Sequence, residues 1–457
     1  MAHHTRVTAD GEAPAITRII ADFVTNHRSG EWDASVEKEA HRTFVNWVGC
    51  AIGAAHHPTV ACALAAVQEL SPSPQATILG RSEQVDIASA AMLNGITSHT
   101  FDFDDTHLKT IIHPASPVAS AALALAEHRG DNGREVIDAL VLGVDVACRV
   151  GNMIYPDHYD RGWHITGSTG MLGAAAACAR LLKLDTHTTA MALGLAASQP
   201  IGVREQFGTM TKPFHPGGAA RAGLMSALMA KHGYTASPRA IEAPRGLAQT
   251  FSDKCDWNEI TDALGQRFEI SFNTYKPFAC GIVIHPSIDG CLQIRNAHGV
   301  RAEDIERIDL AVHPLVLELT GKRTPRTGLE GKFSVFHACA AAIVFGQVGE
   351  AEFSDEVVPR ADMMALRDRI EARVDDKINE ASADVTVTCK DGRTLHVFVE
   401  HALGSLQHPM SDADLARKFH GLVDPVLDSA RADRLLEQCA TLASAADVRA
   451  LTASARA

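Results

Sequence analysis

"GREVIDALVLGVDVACRVGNMI", residues 133–154, repeats apolar side chains at i, i+3, i+4 and i+7 without an internal proline. That is the period of an α-helix set against a core. The same spacing recurs on both sides of it, in "APAITRIIADFVTNH", "SVEKEAHRTFVNWVGCAIGAA", "DIASAAMLNGITSHTF", "PVASAALALAEH" and "THTTAMALGLAAS". Short polar or Gly/Pro breaks separate these runs, so residues 13 to about 245 read as a succession of packed helices. "TASPRAIEA" predicts a further helix start, with Ser237 as cap and Pro238 in the first turn.

The pattern changes after about residue 267. "FEISFNTYKPF" reads as a strand entering a loop, "HPSIDGCLQIRNAHG" as a helix and "IERIDLAVHPL" as a strand. "ADVTVTCKDGRTLHVFVEH" reads as a hairpin turning at Asp391-Gly392. From "MSDADLARKFHGLV" onward helices return. The expected fold is therefore mainly α with an inserted α+β domain. A large helical domain would comprise residues 13–266 and 405–450, and a smaller α+β domain residues 267–404.

Composition narrows the function. At 457 residues the chain exceeds what one hydrophobic core usually supports. Aromatics are only 5% while alanine runs are frequent, which favours closely packed helices over a β-sandwich. A net charge of −13 disfavours nucleic acid as a partner. The ten cysteines are scattered without a CxxC pair, against a zinc ribbon or Fe–S ligand run. The N-terminal "MAHHTRVTADGEAP" has no apolar segment of the secretory kind, and no stretch of about 18 apolar residues suggests a membrane span. A cytoplasmic protein is expected.

Five segments carry more charge and glycine than apolar surroundings explain. "FDFDDTHLKTIIHP" (101–114) gathers Asp102, Asp104 and Asp105 with Thr106, His107 and His113. Burying carboxylates is costly unless they are paired, so this stretch is a solvated loop, a metal site or a reaction centre. "YPDHYDRGWHITGSTG" (155–170) holds Tyr159, Arg161 and His164, and its Gly167-Ser168-Thr169-Gly170 end offers backbone N–H groups as a carboxylate seat. "FGTMTKPFHPGGAARAG" (207–223) holds Lys212 and His215, and "TYKPFACGIVIHPSID" (274–289) holds Lys276 and His285. "GKFSVFHACA" (331–340) holds Lys332, Ser334 and His337. A lone histidine or lysine beside a turn is commonly a cap or a solvated charge. Four basic clusters beside buried helices in an acidic chain instead suggest a cationic pocket for a small polyanion. A metal cage is less favoured, because the position after Asp104-Asp105 that a DDxxD motif needs is Leu108. No GxSxG elbow is present for a serine nucleophile.

These clusters resemble the MmgE/PrpD family along nearly the whole chain, from about residue 15 to 445. The segments that carry the likeness are "FDFDDTH", "GWHITGSTG", "GTMTKPFH" and "YKPFACGIVIHPSID". Family members include 2-methylcitrate dehydratases, cis-aconitate decarboxylases and iminodisuccinate epimerases. The resemblance implies a homodimer with a helical and an α+β domain, a pocket between them, and catalysis without metal or other cofactor. Carried over position by position, it implies a site at Asp102, Thr106, His113, His164, Lys212 and Lys276. The chain departs from the family in offering His337 after its "KFS" segment where a tyrosine is usual. "THLKTIIHP" is one residue longer than its counterpart in the decarboxylases.

Chemistry at a carbon beside a carboxylate needs positive charge aimed at the oxygens of a carbanion or enediolate. Lys212, Lys276 and His164 are expected to supply it. Asp102 would orient and balance them, His113 would join the catalytic set, and Tyr159 would protonate the opposite face. Thr106, His107, Thr169, His215, Lys332, Ser334 and His337 are expected to bind substrate. The expected function is a cofactor-independent lyase for a small di- or tricarboxylate, of the dehydratase or decarboxylase type. The alternatives are a dicarboxylate epimerase and a catalytically silent dicarboxylate-binding protein.

Overall fold

The computed structural model describes residues 14–457. The polar N-terminal stretch and residue 13, the expected start of the helical domain, lie outside them. The architecture is mainly α with a smaller α+β part. The diagnostic stretch forms the Gly133–Ile154 helix, opened by a capping box in which Asn132 and Glu135 satisfy each other's backbone N–H. It packs on the Ile165–Leu181 helix, which in turn packs on the Thr211–Lys231 helix. The Ile87–Thr100 and Ala115–Arg129 helices complete this layer.

Small residues explain how so many helices fit with few aromatics. A Cβ on Gly95 would lie 2.7 Å from the Cα of Gly217, and one on Gly173 would lie 2.5 Å from the carbonyl oxygen of Gly143. These backbones touch, so bulky side chains are excluded at the crossings.

The α+β part holds a four-stranded sheet in the order Ile370–Val374, Ile305–Val312, Ala383–Cys389, Thr394–Val399. The first pair is parallel and the others antiparallel. The expected hairpin turns at Asp391-Gly392, where Gly392 adopts φ 88°. The His285–His298 helix covers one face of the sheet, and Gly290 lets it approach Val385 closely. The Asp412–Leu427 helix returns to the Ala34–Gly53 helix, with Phe419 and Leu422 against Gly49 and Gly53.

Two local expectations are corrected. No helix begins at Ser237. Residues 238–245 are turns, because Glu242 is spent accepting hydrogen bonds from the Thr17 backbone N–H and hydroxyl. Conversely, Asp105–His107 is a strand that the sequence did not suggest. It pairs antiparallel with Asn273–Tyr275 and ties the acidic stretch to the Lys276 segment. Among the described residues no single helix is long and apolar enough to cross a membrane.

Candidate active site

The three aspartates of the acidic stretch are buried, which rules out the solvated-loop reading: Asp102, Asp104 and Asp105 are each at most 3% exposed. Each carboxylate has a different task. Asp105 accepts hydrogen bonds from the Ala115 N–H (3.1 Å) at the head of the Ala115–Arg129 helix and from the Asn273 side chain (2.7 Å). Burial, reinforced by neighbouring Asp104, pushes its pKa up to about 7. Asp104 lies 2.7 Å from Nδ1 of His99 and 3.6 Å from Nδ1 of His113. Burial alone would raise its pKa, yet the two imidazoles bring it down to about 2.

Asp102 sits at φ 51°, a left-handed conformation rarely adopted by a non-glycine residue. Its Oδ1 lies 2.7 Å from Nζ of Lys276 and 2.8 Å from Nζ of Lys212. Burial opposes the charge, but the two ammonium groups hold the carboxyl well below the usual range. Oδ2 has no hydrogen-bond partner. Lys276 also donates to the carbonyls of Asp102 (2.9 Å) and Cys280 (3.1 Å). Lys212 opens the Thr211–Lys231 helix, with its ammonium 5.2 Å from both the Phe207 and Phe333 rings. Burial lowers its pKa against the pull of Asp102, and the charge of Lys276 lowers it further.

The histidines above this charge cluster are neutral. Nδ1 of His113 lies 2.7 Å from the Asp105 carbonyl oxygen. A carbonyl only accepts, so Nδ1 carries the proton and Nε2 keeps its lone pair. Burial, with nearby Lys276, pushes the His113 pKa down to about 3, although Asp104 opposes the shift. His164 is the residue before the Ile165–Leu181 helix, and its Nδ1 lies 2.9 Å from Nδ1 of His215. One ring must donate and the other accept. Burial and Lys212 hold His164 well below its ordinary pKa, and burial brings His215 to about 4.

All six residues expected to be catalytic, Asp102, His113, Tyr159, His164, Lys212 and Lys276, line one cavity of about 30 Å³. Arg204 braces Tyr159, donating to its carbonyl (3.0 Å) and lying 4.2 Å from the centre of its ring. Of the residues expected to bind substrate, Thr106 and His215 lie directly behind this set, touching His113 and His164. The structure does not bring the other five to the cavity. His107 pairs with Glu269 (3.0 Å), and Thr169 donates to the Ile165 carbonyl within its own helix. Ser334 caps the Val335–Phe345 helix, and His337 lies 3.0 Å from the Glu352 carbonyl. Lys332 is a clamp, with Nζ donating to the carbonyls of Phe101 (2.7 Å) and Ala279 (2.8 Å) and pairing with Glu350. The expected carboxylate seat at Gly167–Gly170 is also closed. The Gly167 and Ser168 amides donate to the His164 carbonyl, and the glycines serve close packing against Ile201 and Pro117.

Sequence reading passed over His99 and Lys418. His99 belongs to a helix that is buried on every side, and a histidine in such a helix five residues before Asp104 was a usable signal. Lys418 donates to the carbonyls of Phe103 (2.5 Å) and Lys276 (2.9 Å), stitching the two charged segments together. Nothing in "LARKFHGLV" marks it off from a solvated lysine on an amphipathic helix. His99, Asp102, Asp104 and His113, and likewise His99, His113 and His164, present ligand atoms that lie within 4.8 Å of one another. Two ammonium groups already occupy Asp102, and they would repel a divalent ion there.

Comparison with known proteins identifies the family. The MmgE/PrpD N-terminal domain matches residues 18–260, and the MmgE/PrpD C-terminal domain matches residues 278–442. The chain belongs to the MmgE/PrpD family. Among curated relatives, it is 27% identical to the cis-aconitate decarboxylase-like protein oryM of Aspergillus oryzae, over 96% of each chain. It is 24% identical to the human cis-aconitate decarboxylase over 79% of this chain and 78% of that one. It is 23% identical to the 2-methylcitrate dehydratase of Escherichia coli over 86% of each. Membership supports an enzyme of the family's lyase type.

Proposed function

We propose that the protein is a metal-independent lyase that moves a proton at a carbon next to a carboxylate of a small di- or tricarboxylate. The observation that carries this reading is the single carboxylate oxygen of Asp102 shared by the ammonium groups of Lys212 and Lys276, beneath neutral His113 and His164. The two lysines bind substrate carboxylates and stabilise the oxygens of the enediolate. His113, with its lone pair on Nε2, is the base. In a dehydration it takes the proton from carbon, the electron pair becomes a C=C bond, and hydroxide departs with a proton from Tyr159. In a decarboxylation the carbon–carboxyl bond breaks, CO₂ leaves, and an acid at the site protonates the carbon. A dicarboxylate epimerase would use the same first step and return the proton on the other face.

The test is incubation with 2-methylcitrate, cis-aconitate and iminodisuccinate in D₂O, followed by NMR. Formation of a C=C bond with loss of the C–H proton is expected for a dehydration, and deuterium on the carbon that is protonated for a decarboxylation or an epimerisation. Exhaustive chelation should leave the rate unchanged. Activity lost on chelation and restored by one divalent metal would replace this reading with a cation held by His99, Asp104 and His113.

A further inference from the structure

The space above the lysines is small, about 30 Å³. Directly beside it lies a second cavity of about 180 Å³. Ile111, Ile282 and Val283 line both. Leu108, Pro286 and Leu403 extend the apolar wall away from the reaction centre. The partition between the two is held unusually. Ile111 has φ 58°, a disfavoured conformation for a β-branched residue. A tight turn, in which the His107 N–H donates to the Ile112 carbonyl (2.8 Å), imposes it. His285, also on the wall of the larger cavity, is 2% exposed and has no hydrogen bond to another side chain. Burial and Lys276 keep it neutral, with a pKa down at about 3. Glu380 is the charged residue of this lining, at the exposed end.

We propose that the substrate is a carboxylate carrying an unbranched alkyl arm of several carbons, which leaves the charged head past Ile111, Ile282 and Val283 and lies in this second cavity. The inference rests on the reading of the site as a carboxylate lyase. Neutral apolar walls suit a hydrocarbon, and Glu380 disfavours an arm ending in a second anion. The larger space beside the reaction centre is the apolar one, so a substrate with a bulky polar arm finds no partner there.

The test is a series of 2-alkylcitrates from methyl to pentyl, with n-alkylsuccinates as binding probes read by calorimetry. kcat/KM is expected to rise about 4-fold per added methylene, the transfer free energy of a CH₂ group, until the cavity is filled. Ala381→Trp, which narrows the cavity from its exposed rim, should remove the gain with chain length and leave turnover of the methyl compound unchanged. Turnover that is flat or falls with chain length overturns the alkyl arm and leaves the lyase reading standing. If no member reacts, a dehydratase acting on citrates is excluded and a decarboxylase is not. The succinates then decide the cavity: affinity that grows with chain length and is blunted by Ala381→Trp upholds an alkyl site, and affinity independent of length overturns it.

Discussion

Asp102 is tolerated in the interior because two ammonium groups share one of its oxygens. Lys212→Ala and Lys276→Ala should each lower kcat/KM by about 10²-fold or more, the loss associated with removing one stabiliser of a developing oxyanion. Near wild-type turnover in either variant would remove that lysine from the chemistry. Asp102→Asn keeps the volume and loses the charge, so activity should fall while the far-UV spectrum is unchanged. The pH dependence follows from the neighbouring groups. His113 is neutral above about pH 3, so the acid limb of kcat/KM should lie well below the ordinary histidine value. Lys212 acts as a cation with a lowered pKa, so the alkaline limb should fall below the ordinary lysine range. An acid limb near pH 6.5 would take the role of base away from His113.

Short pieces of structure carry these side chains. The two-stranded ribbon of Asp105–His107 and Asn273–Tyr275 joins the acidic stretch to the lysine segment, and Lys418 fastens the same junction from the Asp412–Leu427 helix. Burial pushes the Lys418 pKa down to about 8, so its charge is retained at neutral pH at some cost. Lys418→Met leaves two carbonyls without a donor and should cost about 1–3 kcal/mol in urea unfolding with an unchanged m-value. Because the junction positions both Asp102 and Lys276, kcat/KM should fall with it. A variant as stable and as active as wild type would show that water replaces the ammonium without consequence.

The whole molecule should be acid-labile. Burial depresses His113, His158, His215, His285 and His337 to about 3 to 4, so below pH 6.5 the unfolded chain takes up protons that the folded chain refuses. Their contribution is lost as pH falls through that window. Three carboxyls, buried Asp105 and Asp145 and partly buried Glu350, are raised to about 6 or 7 and act in the opposite direction. His164 is also held low, so the depressed histidines outnumber the raised carboxyls and leave a net loss of stability from about pH 6.5 to 4, roughly 1.4 kcal/mol per pH unit for each net proton. Tm measured across this range should fall, and a flat or rising profile would contradict it. Association is the other global expectation. Phe214 and Met225 are exposed on one face of the Thr211–Lys231 helix, with Val203 and Met210 also exposed. Light scattering at micromolar concentration should give the mass of a dimer, and a monomeric mass would refute it.

Periods of 2 and 3.6 residues are local properties, so the chain alone determined the helix over 133–154, its helical neighbours, the hairpin over 383–399 and the mainly α class. Unusual residues in apolar settings marked the segments that hold Asp102, His113, Tyr159, His164, Lys212 and Lys276, the family resemblance singled out all of these but Tyr159, and the six line one cavity. Tertiary structure decided what each charge does once it arrives. Lys276 and Lys332 are both buried lysines beside turns in similar sequence. One meets the Asp102 carboxylate, while the other meets the Phe101 and Ala279 carbonyls and Glu350. Ser237 has the residues of a cap but no helix to cap, because Glu242 docks on Thr17 far away in the chain. Partners such as these are chosen by which carbonyls and carboxylates packing leaves unsatisfied at the ends of distant elements. That choice is a property of the assembled interior and has no period in the sequence.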